Sequence, residues 1–225
     1  MSLPMGRPLS RPLRLILVNP NTSQATTQAM VAIAREAAGA PVEGVTAPFG
    51  APLIADPHAL AVAAQAVESL ASDLAGADAV IVAAFGDPGL AGLRARLACP
   101  VVGIAEAGMA EAAAIAAHFA VVTTTPALSE AIEERARDLG HARFAGVFVT
   151  PGDPVAVMAD DAGLADALAD ACLRAVAAGA GAVVIGGGPL AVAARAIRDR
   201  VPVPLVEPVP AAVRLALARL PERRR

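Results

Sequence analysis

Gly76-Ala77-Asp78-Ala79-Val80-Ile81-Val82 is followed 103 residues later by Gly179-Ala180-Gly181-Ala182-Val183-Val184-Ile185. Each stretch leaves a small-residue turn and enters an unbroken apolar run. Such a run reads as a strand covered on both faces, as in a parallel sheet. The same shift aligns other strand ends. Leu17-Val18-Asn19-Pro20-Asn21 falls on the run that leads into Thr123-Thr124-Thr125, and Pro48 falls on Pro151. Pro100-Val101 meets Pro202-Val203 with the shift shortened by one residue. An Ala- and Val-rich chain matches itself easily by chance. Four consecutive strands at one nearly constant offset are a stronger sign, and they point to a duplicated unit.

Working outward, strands are predicted at residues 13–18, 42–47, 79–84, 101–104, 119–123, 144–149, 182–186 and 203–206. Helical stretches lie between them, among them residues 25–38, 58–75, 107–117, 127–139 and 164–178. The alternation makes eight βα units. Two α/β architectures fit: a closed (βα)₈ barrel, or two four-stranded open sheets facing one another. Both place working loops at the C-terminal ends of the strands.

The bulk numbers narrow the function. The chain has 225 residues, 56% of them hydrophobic and 17% charged, with a formal net charge of −3. Five phenylalanines are its only aromatics. Clustered basic residues of the kind that bind nucleic acid are not found, and the Arg223-Arg224-Arg225 tail reads as a solvated end. No apolar run is long enough for a membrane span. Residues 1–11 are rich in Pro and Arg and lack the apolar segment of a signal peptide. Two cysteines, Cys99 and Cys172, form neither a disulfide framework nor a zinc pattern, so a cytoplasmic protein without metal is expected.

Four loops could carry chemistry. The first strand ends in Asn19-Pro20-Asn21-Thr22-Ser23, which puts amide and hydroxyl groups at a helix N-terminus. They can cap the free N–H groups, or those N–H groups can hold a carboxylate or imide oxygen. Its counterpart, Thr123-Thr124-Thr125-Pro126, has the same character. The third strand ends in Ala84-Phe85-Gly86-Asp87-Pro88-Gly89, and its counterpart is Gly186-Gly187-Gly188-Pro189-Leu190. Small residues there admit a ligand close to the backbone. The dinucleotide fingerprint, the P-loop and the nucleophile elbow are absent, so no nucleotide cofactor is expected.

These motifs, with Phe49-Gly50-Ala51-Pro52 and Pro100-Val101-Val102-Gly103-Ile104-Ala105-Glu106-Ala107, resemble the aspartate/glutamate/hydantoin racemase family. The hydantoin and allantoin racemase branch fits best, over about residues 13–217. The resemblance implies two pseudosymmetric α/β domains with the ligand between them. Residues 13–106, joined by residues 207–220, would form the first, and residues 107–206 the second. It also implies a homo-oligomer that takes hydantoins, amino-acid derivatives or small carboxylates without a cofactor. In the family, one cysteine at the end of each third strand faces each side of the substrate α-carbon. One thiolate removes a proton and the other thiol returns one.

At those two positions this chain has Ala84 and Gly187, themselves repeat partners. Neither side chain can move a proton, so two-cysteine racemisation is expected to be absent. Decarboxylating relatives keep the second cysteine, which is missing here too. Cys99 falls at the start of a strand, away from the loops, and Cys172 falls inside a helix. A family histidine reads as Gln65, and a family Asp-Gly reads as Glu207-Pro208. His58, His118 and His141 show no ligand spacing. The expected ligand contacts are Asn19, Asn21, Thr22, Phe85, Gly86, Thr123, Thr124, Thr125 and Gly188. Asp87, Glu106 and Glu207 follow the third, fourth and eighth strands. Asp87 and Glu106 are candidates for altered acid–base chemistry, against the plainer reading that Asp87 caps its helix and Glu106 and Glu207 accept hydrogen bonds at helix starts. A non-catalytic binding protein is the other alternative.

Overall fold

In the computed structural model, residues 13–221 are described. Both the N-terminal residues read above as no leader and the arginine tail lie outside them. The eight predicted strands are all present: β1 (Leu15–Asn19), β2 (Val42–Thr46), β3 (Ala79–Val82), β4 (Val101–Gly103), β5 (Phe119–Thr123), β6 (Phe144–Val149), β7 (Ala182–Ile185) and β8 (Leu205–Val206). They form two four-stranded parallel sheets, ordered β2-β1-β3-β4 and β6-β5-β7-β8. The barrel alternative is thereby excluded.

The helices are α1 (Gln24–Ala38), α2 (Pro57–Ser69), α3 (Leu90–Arg96), α4 (Ile104–Ile115), α5 (Ser129–Asp138), α6 (Pro154–Met158), α7 (Asp161–Ala177), α8 (Ala191–Ala196) and α9 (Pro208–Ala218). Their ends follow from local chemistry. Ser23 caps α1 by accepting the Thr26 N–H, Asp56 caps α2, and Asp153 caps the short α6. Gly39 closes α1 in the left-handed conformation, with its N–H on Arg35 O.

Main-chain bonds between strands show the duplication directly. Ala83 N–H donates to Val18 O and Gly186 N–H to Val122 O; Ala47 N–H donates to Asn19 O and Thr150 N–H to Thr123 O. Two corrections follow. These bonds match Val18 to Val122 and Asn19 to Thr123, so β1 and β5 are offset by 104 residues, not 103. The second is at the last strand. Val80 N–H donates to Pro100 O, and Val183 N–H donates to Pro204 O. The structural partner of Pro100 is therefore Pro204, not the Pro202 that sequence matching selects. The 3-10 turn Arg198–Arg200 and the bend after it delay entry into the sheet, so β8 starts two residues later than predicted.

Alternate strand residues go to different cores. Leu15, Leu17, Ala79 and Ile81 of the first sheet share one apolar cluster with Phe119, Val121, Ala182 and Val184 of the second. Buried residues of α1, α4 and α9 fill that cluster. Ile16, Val18, Val80 and Val82 face an outer cluster on the first sheet, and Ala120, Val122, Val183 and Ile185 one on the second. This is the period-2 alternation of a strand applied to sheets covered on both sides. The edge strands differ: β2 exposes Glu43 and Gly44, and β6 is only half-buried throughout.

Helices α4 and α9 each follow the last strand of a sheet and pack on one another. Buried small residues include Ala105, Ala107, Gly108 and Ala112 on α4 and Ala211, Ala212 and Ala216 on α9. Small residues allow close approach of the two backbones. Their N-termini are satisfied in different ways. Asp87 accepts the Ala105 and Glu106 N–H groups of α4 at 2.8 and 2.9 Å. Helix α9 begins Pro208-Val209-Pro210, which removes two of the donors that would need a partner. Asp87 thus caps α4, not the helix that follows it in sequence, where Gly89 stands at the N-cap.

Two expected outcomes follow. A Cβ at Gly103 would overlap the Asp87 carboxylate. Gly103→Ala should cost about 1–3 kcal/mol, the usual range for overpacking, as measured by urea unfolding. An unchanged midpoint would contradict this packing. The second concerns the thiols. Burial pushes the Cys172 thiol up to about 12, and burial also raises that of half-buried Cys99, which lies beside Pro100 at the N-terminal end of β4. Because the thiolate is the reactive form, a maleimide at pH 7 should label Cys99 slowly and Cys172 only after unfolding. Rapid labelling of both in the folded protein would contradict these placements.

Candidate functional site

In each sheet the strand order places a topological switch beside the first strand. The chain leaves β1 toward β2 on one side, whereas β3 leads to β4 on the other. A crevice therefore opens beyond the C-terminal ends of β1 and β3, where ligands bind in open α/β sheets. The same holds for β5 and β7. Loops from all four strand ends line a single cavity that is partly open to solvent.

The loop after β1 is built by its own hydrogen bonds. Asn19 is fully buried; its Nδ2 group donates to Asn21 Oδ1 at 2.7 Å, Ser23 O at 3.0 Å and Thr27 Oγ1 at 3.0 Å. Asn19 Oδ1 accepts the Asn21 N–H, and Asn21 Oδ1 accepts the Ser23 N–H. Asn19 is thus spent on the loop and does not line the cavity, contrary to expectation. Asn21 does, together with Thr26 in the first turn of α1. Thr22 gives its N–H to Ala51 O and is likewise outside the lining.

After β5, the Thr123 hydroxyl donates to Gly186 O at 3.1 Å and lies 2.9 Å from Thr125 Oγ1. With its own proton engaged, Thr123 accepts from the Thr125 hydroxyl, which leaves Thr125 as an acceptor on the cavity side. Thr123 is therefore a brace between β5 and β7, while Thr124 and Thr125 line the cavity.

The third-strand loops supply Ala83, Ala84 and Phe85 from one sheet and Gly186, Gly187 and Gly188 from the other. The repeat partners Ala84 and Gly187 thus share one cavity. Gly187 has extended backbone, φ 172°, so nothing in its conformation demands glycine. A Cβ there would lie 2.9 Å from Leu190 Cδ1. At Gly188 a Cβ would overlap Met30 Sδ, so this glycine also lets α1 pack against the loop. Gly86 lies outside the lining, against Leu60 in the left-handed region at φ 109°.

Sequence reasoning missed an apolar wall of Leu53, Ile54, Leu128, Met158 and Leu190. Leu53 and Ile54 directly follow the Phe49-Gly50-Ala51-Pro52 stretch, which was the available signal. Met158 belongs to the short α6 and had none. Among the described residues, no charged or thiol side chain lines the cavity.

The carboxylates singled out above are engaged elsewhere. Asp87 accepts from Arg135 Nη2 at 3.0 Å, besides capping α4. Burial pushes its carboxyl above the usual range, while the Arg135 guanidinium and the two α4 N–H groups pull it back. Glu106 accepts from Arg94 and Arg219, and Glu207 from Arg195 and Arg198. Asp87 and Glu106 are therefore ion-paired structural groups, and neither is placed to take a proton from a ligand in the cavity.

Comparison with known proteins agrees with this layout. The Asp/Glu/Hydantoin racemase family matches residues 15–216. The hydantoin racemase of Paenarthrobacter aurescens is 30% identical over 212 residues, 91% of this chain and 89% of that protein. The allantoin racemase structure from Klebsiella pneumoniae superposes with a TM-score of 0.84 at 33% identity, covering 92% of this chain and 86% of that one. That from Pseudomonas fluorescens gives 0.86 at 30% identity, covering 94% and 95%. With matched sheets and near-complete coverage, this chain belongs to the Asp/Glu/hydantoin racemase family.

Proposed function

We propose that the cavity takes a small cyclic amide of the hydantoin or allantoin type, and that the chain is an isomerase-type family member in which the two-thiol reaction does not operate. The observation that carries this reading is the lining itself. Asn21, Thr26, Thr124 and Thr125 offer neutral hydrogen-bonding groups beside an apolar wall, with no fixed charge among the described residues. Such a surface suits a neutral ring with alternating N–H and C=O groups better than a free amino acid. A zwitterion would bring two charges into a site with no charged side chain to meet them. The relatives named for hydantoin and allantoin support the same class of ligand.

Proton transfer at a ring carbon needs a group with a suitable pKa within hydrogen-bond reach. The two facing strand ends hold Ala84 and Gly187, and the thiols of Cys99 and Cys172 lie outside the cavity. This reading includes Ala84 and Gly187 as the positions of the family cysteines. It takes residues 13–106 with 207–220 as one half and residues 107–206 as the other. A cofactor-free, cytoplasmic homo-oligomer completes it.

The test combines binding with exchange. Chiral 5-benzylhydantoin and allantoin should raise the melting temperature in a saturable way. Thr124→Val should weaken binding by about 0.5–1.5 kcal/mol, the net worth of one hydrogen bond. Deuterium should enter the ring carbon in D₂O no faster than without protein. Protein-dependent exchange would overturn the claim that proton transfer is lost, and absence of binding by both rings would overturn the choice of ligand.

A further inference from the structure

We infer that Asp87 and Arg135 form a positioning pair that fixes the distance between two walls of the cavity. Neither residue lines it. Asp87 stands two residues beyond Phe85, which together with Ala84 forms the wall at the end of β3. Arg135 sits on α5, the helix that follows the β5 wall of Thr124, Thr125 and Leu128. Their ion pair thus joins segments 48 residues apart that hold opposite sheets. Through two further bonds, from the Ala105 and Glu106 N–H groups, Asp87 also grips the start of α4, which connects the sheets.

Several features show that this carboxylate is built in. Its side chain is fully shielded from solvent, and that of Arg135 is 22% exposed. Both Arg135 Nε and Nη2 donate to Asp87 Oδ2, at 3.1 and 3.0 Å. Asp87 has φ 54°, and it is the one non-glycine residue with positive φ among those described. Such strain persists only where the surroundings over-determine it. Gly103 contributes by omission, since the carboxylate fills the room its side chain would need. The second copy of the repeat has Leu190 at the corresponding place, and there the side chain lines the cavity.

A buried ion pair is a poor device for stability alone, because well-packed apolar residues often serve as well. What four directed hydrogen bonds add is a fixed direction and distance between the groups they join. The uncharged cavity does not use this charge for a ligand, so its consequence for function is geometric. The two walls it spaces are those that the ring-ligand reading, on which the functional side of this inference rests, assigns to contact.

Native-state hydrogen exchange on Arg135→Gln tests the pair without any ligand. The amides of Asp87, Thr125 and Leu128 report the walls, and those of Asp78 and Gly181 report the opposite strand ends. Loss of the pair should speed exchange at the first three about tenfold or more relative to the last two. Arg135→Lys, which keeps the charge but not the fork, should give a smaller effect, and it takes the place of Arg135→Gln if that variant does not fold. Leu74→Ala, a core change remote from the cavity, serves as the control for general destabilisation. A uniform change across all five amides, or the same pattern in Leu74→Ala, would overturn the inference. A parallel titration with 5-benzylhydantoin should show weaker binding in Arg135→Gln than in Leu74→Ala; equal binding in the two would likewise overturn it. If the unaltered protein does not bind this ring, the ligand reading fails, and the exchange data still decide the pair.

Discussion

The apolar layer shared by the two sheets is the constraint on which the rest depends. Alternate apolar residues of β1, β3, β5 and β7 point into it, and α1, α4 and α9 help to fill it. Because side chains alternate with period 2, a slip of one residue in any of these strands would exchange its inner and outer sets. The layer therefore fixes register in both sheets together. It also holds the two topological switch points toward one another, so four short loops enclose one cavity instead of two separate crevices. Small residues on α4 and α9 allow the close packing this needs. The high alanine content of the chain has its physical meaning here.

Around that layer the duplicated halves have diverged in ways that the main-chain bonds make visible. Asn19 and Thr123 occupy equivalent strand ends and do equivalent work by different means, one as an amide at the centre of a loop and the other as a hydroxyl brace to Gly186. Asp87 caps α4 with a carboxylate, whereas α9 reaches the same end with prolines. Ala84 and Gly187 keep equivalent places facing the cavity. Symmetry is thus conserved in the backbone and broken in the side chains, and the side chains decide the chemistry.

Much of this was legible in the sequence. Unbroken apolar runs at a constant offset are sufficient to find eight strands, because a central parallel strand is covered on both faces. The family resemblance that the motifs carry then implies facing sheets instead of a barrel. The loops that line the cavity were also legible, since strand ends are where such folds bind ligands. Roles inside those loops were not. Whether an asparagine or threonine faces a ligand or its own backbone depends on one rotation of the chain, and Asn19 and Thr123 turn inward. Proline matching misplaced β8, because Pro202 and Pro204 look alike in sequence and only one accepts the Val183 N–H. Met158 reaches the cavity from an element with no motif at all, and Leu128 lies two residues beyond the Thr123–Pro126 loop. The Asp87–Arg135 pair joins residues distant in sequence, which composition and spacing cannot show.

The central claim is that the facing strand ends form one ligand cavity. Methyl NMR during titration with 5-benzylhydantoin tests it most directly. The account predicts saturable shifts at Ala84, Thr124, Leu128, Met158 and Leu190, contributed by both sheets, with Leu74 and Val201 unmoved. Shifts confined to one sheet, or centred on Leu74 or Val201, would contradict it.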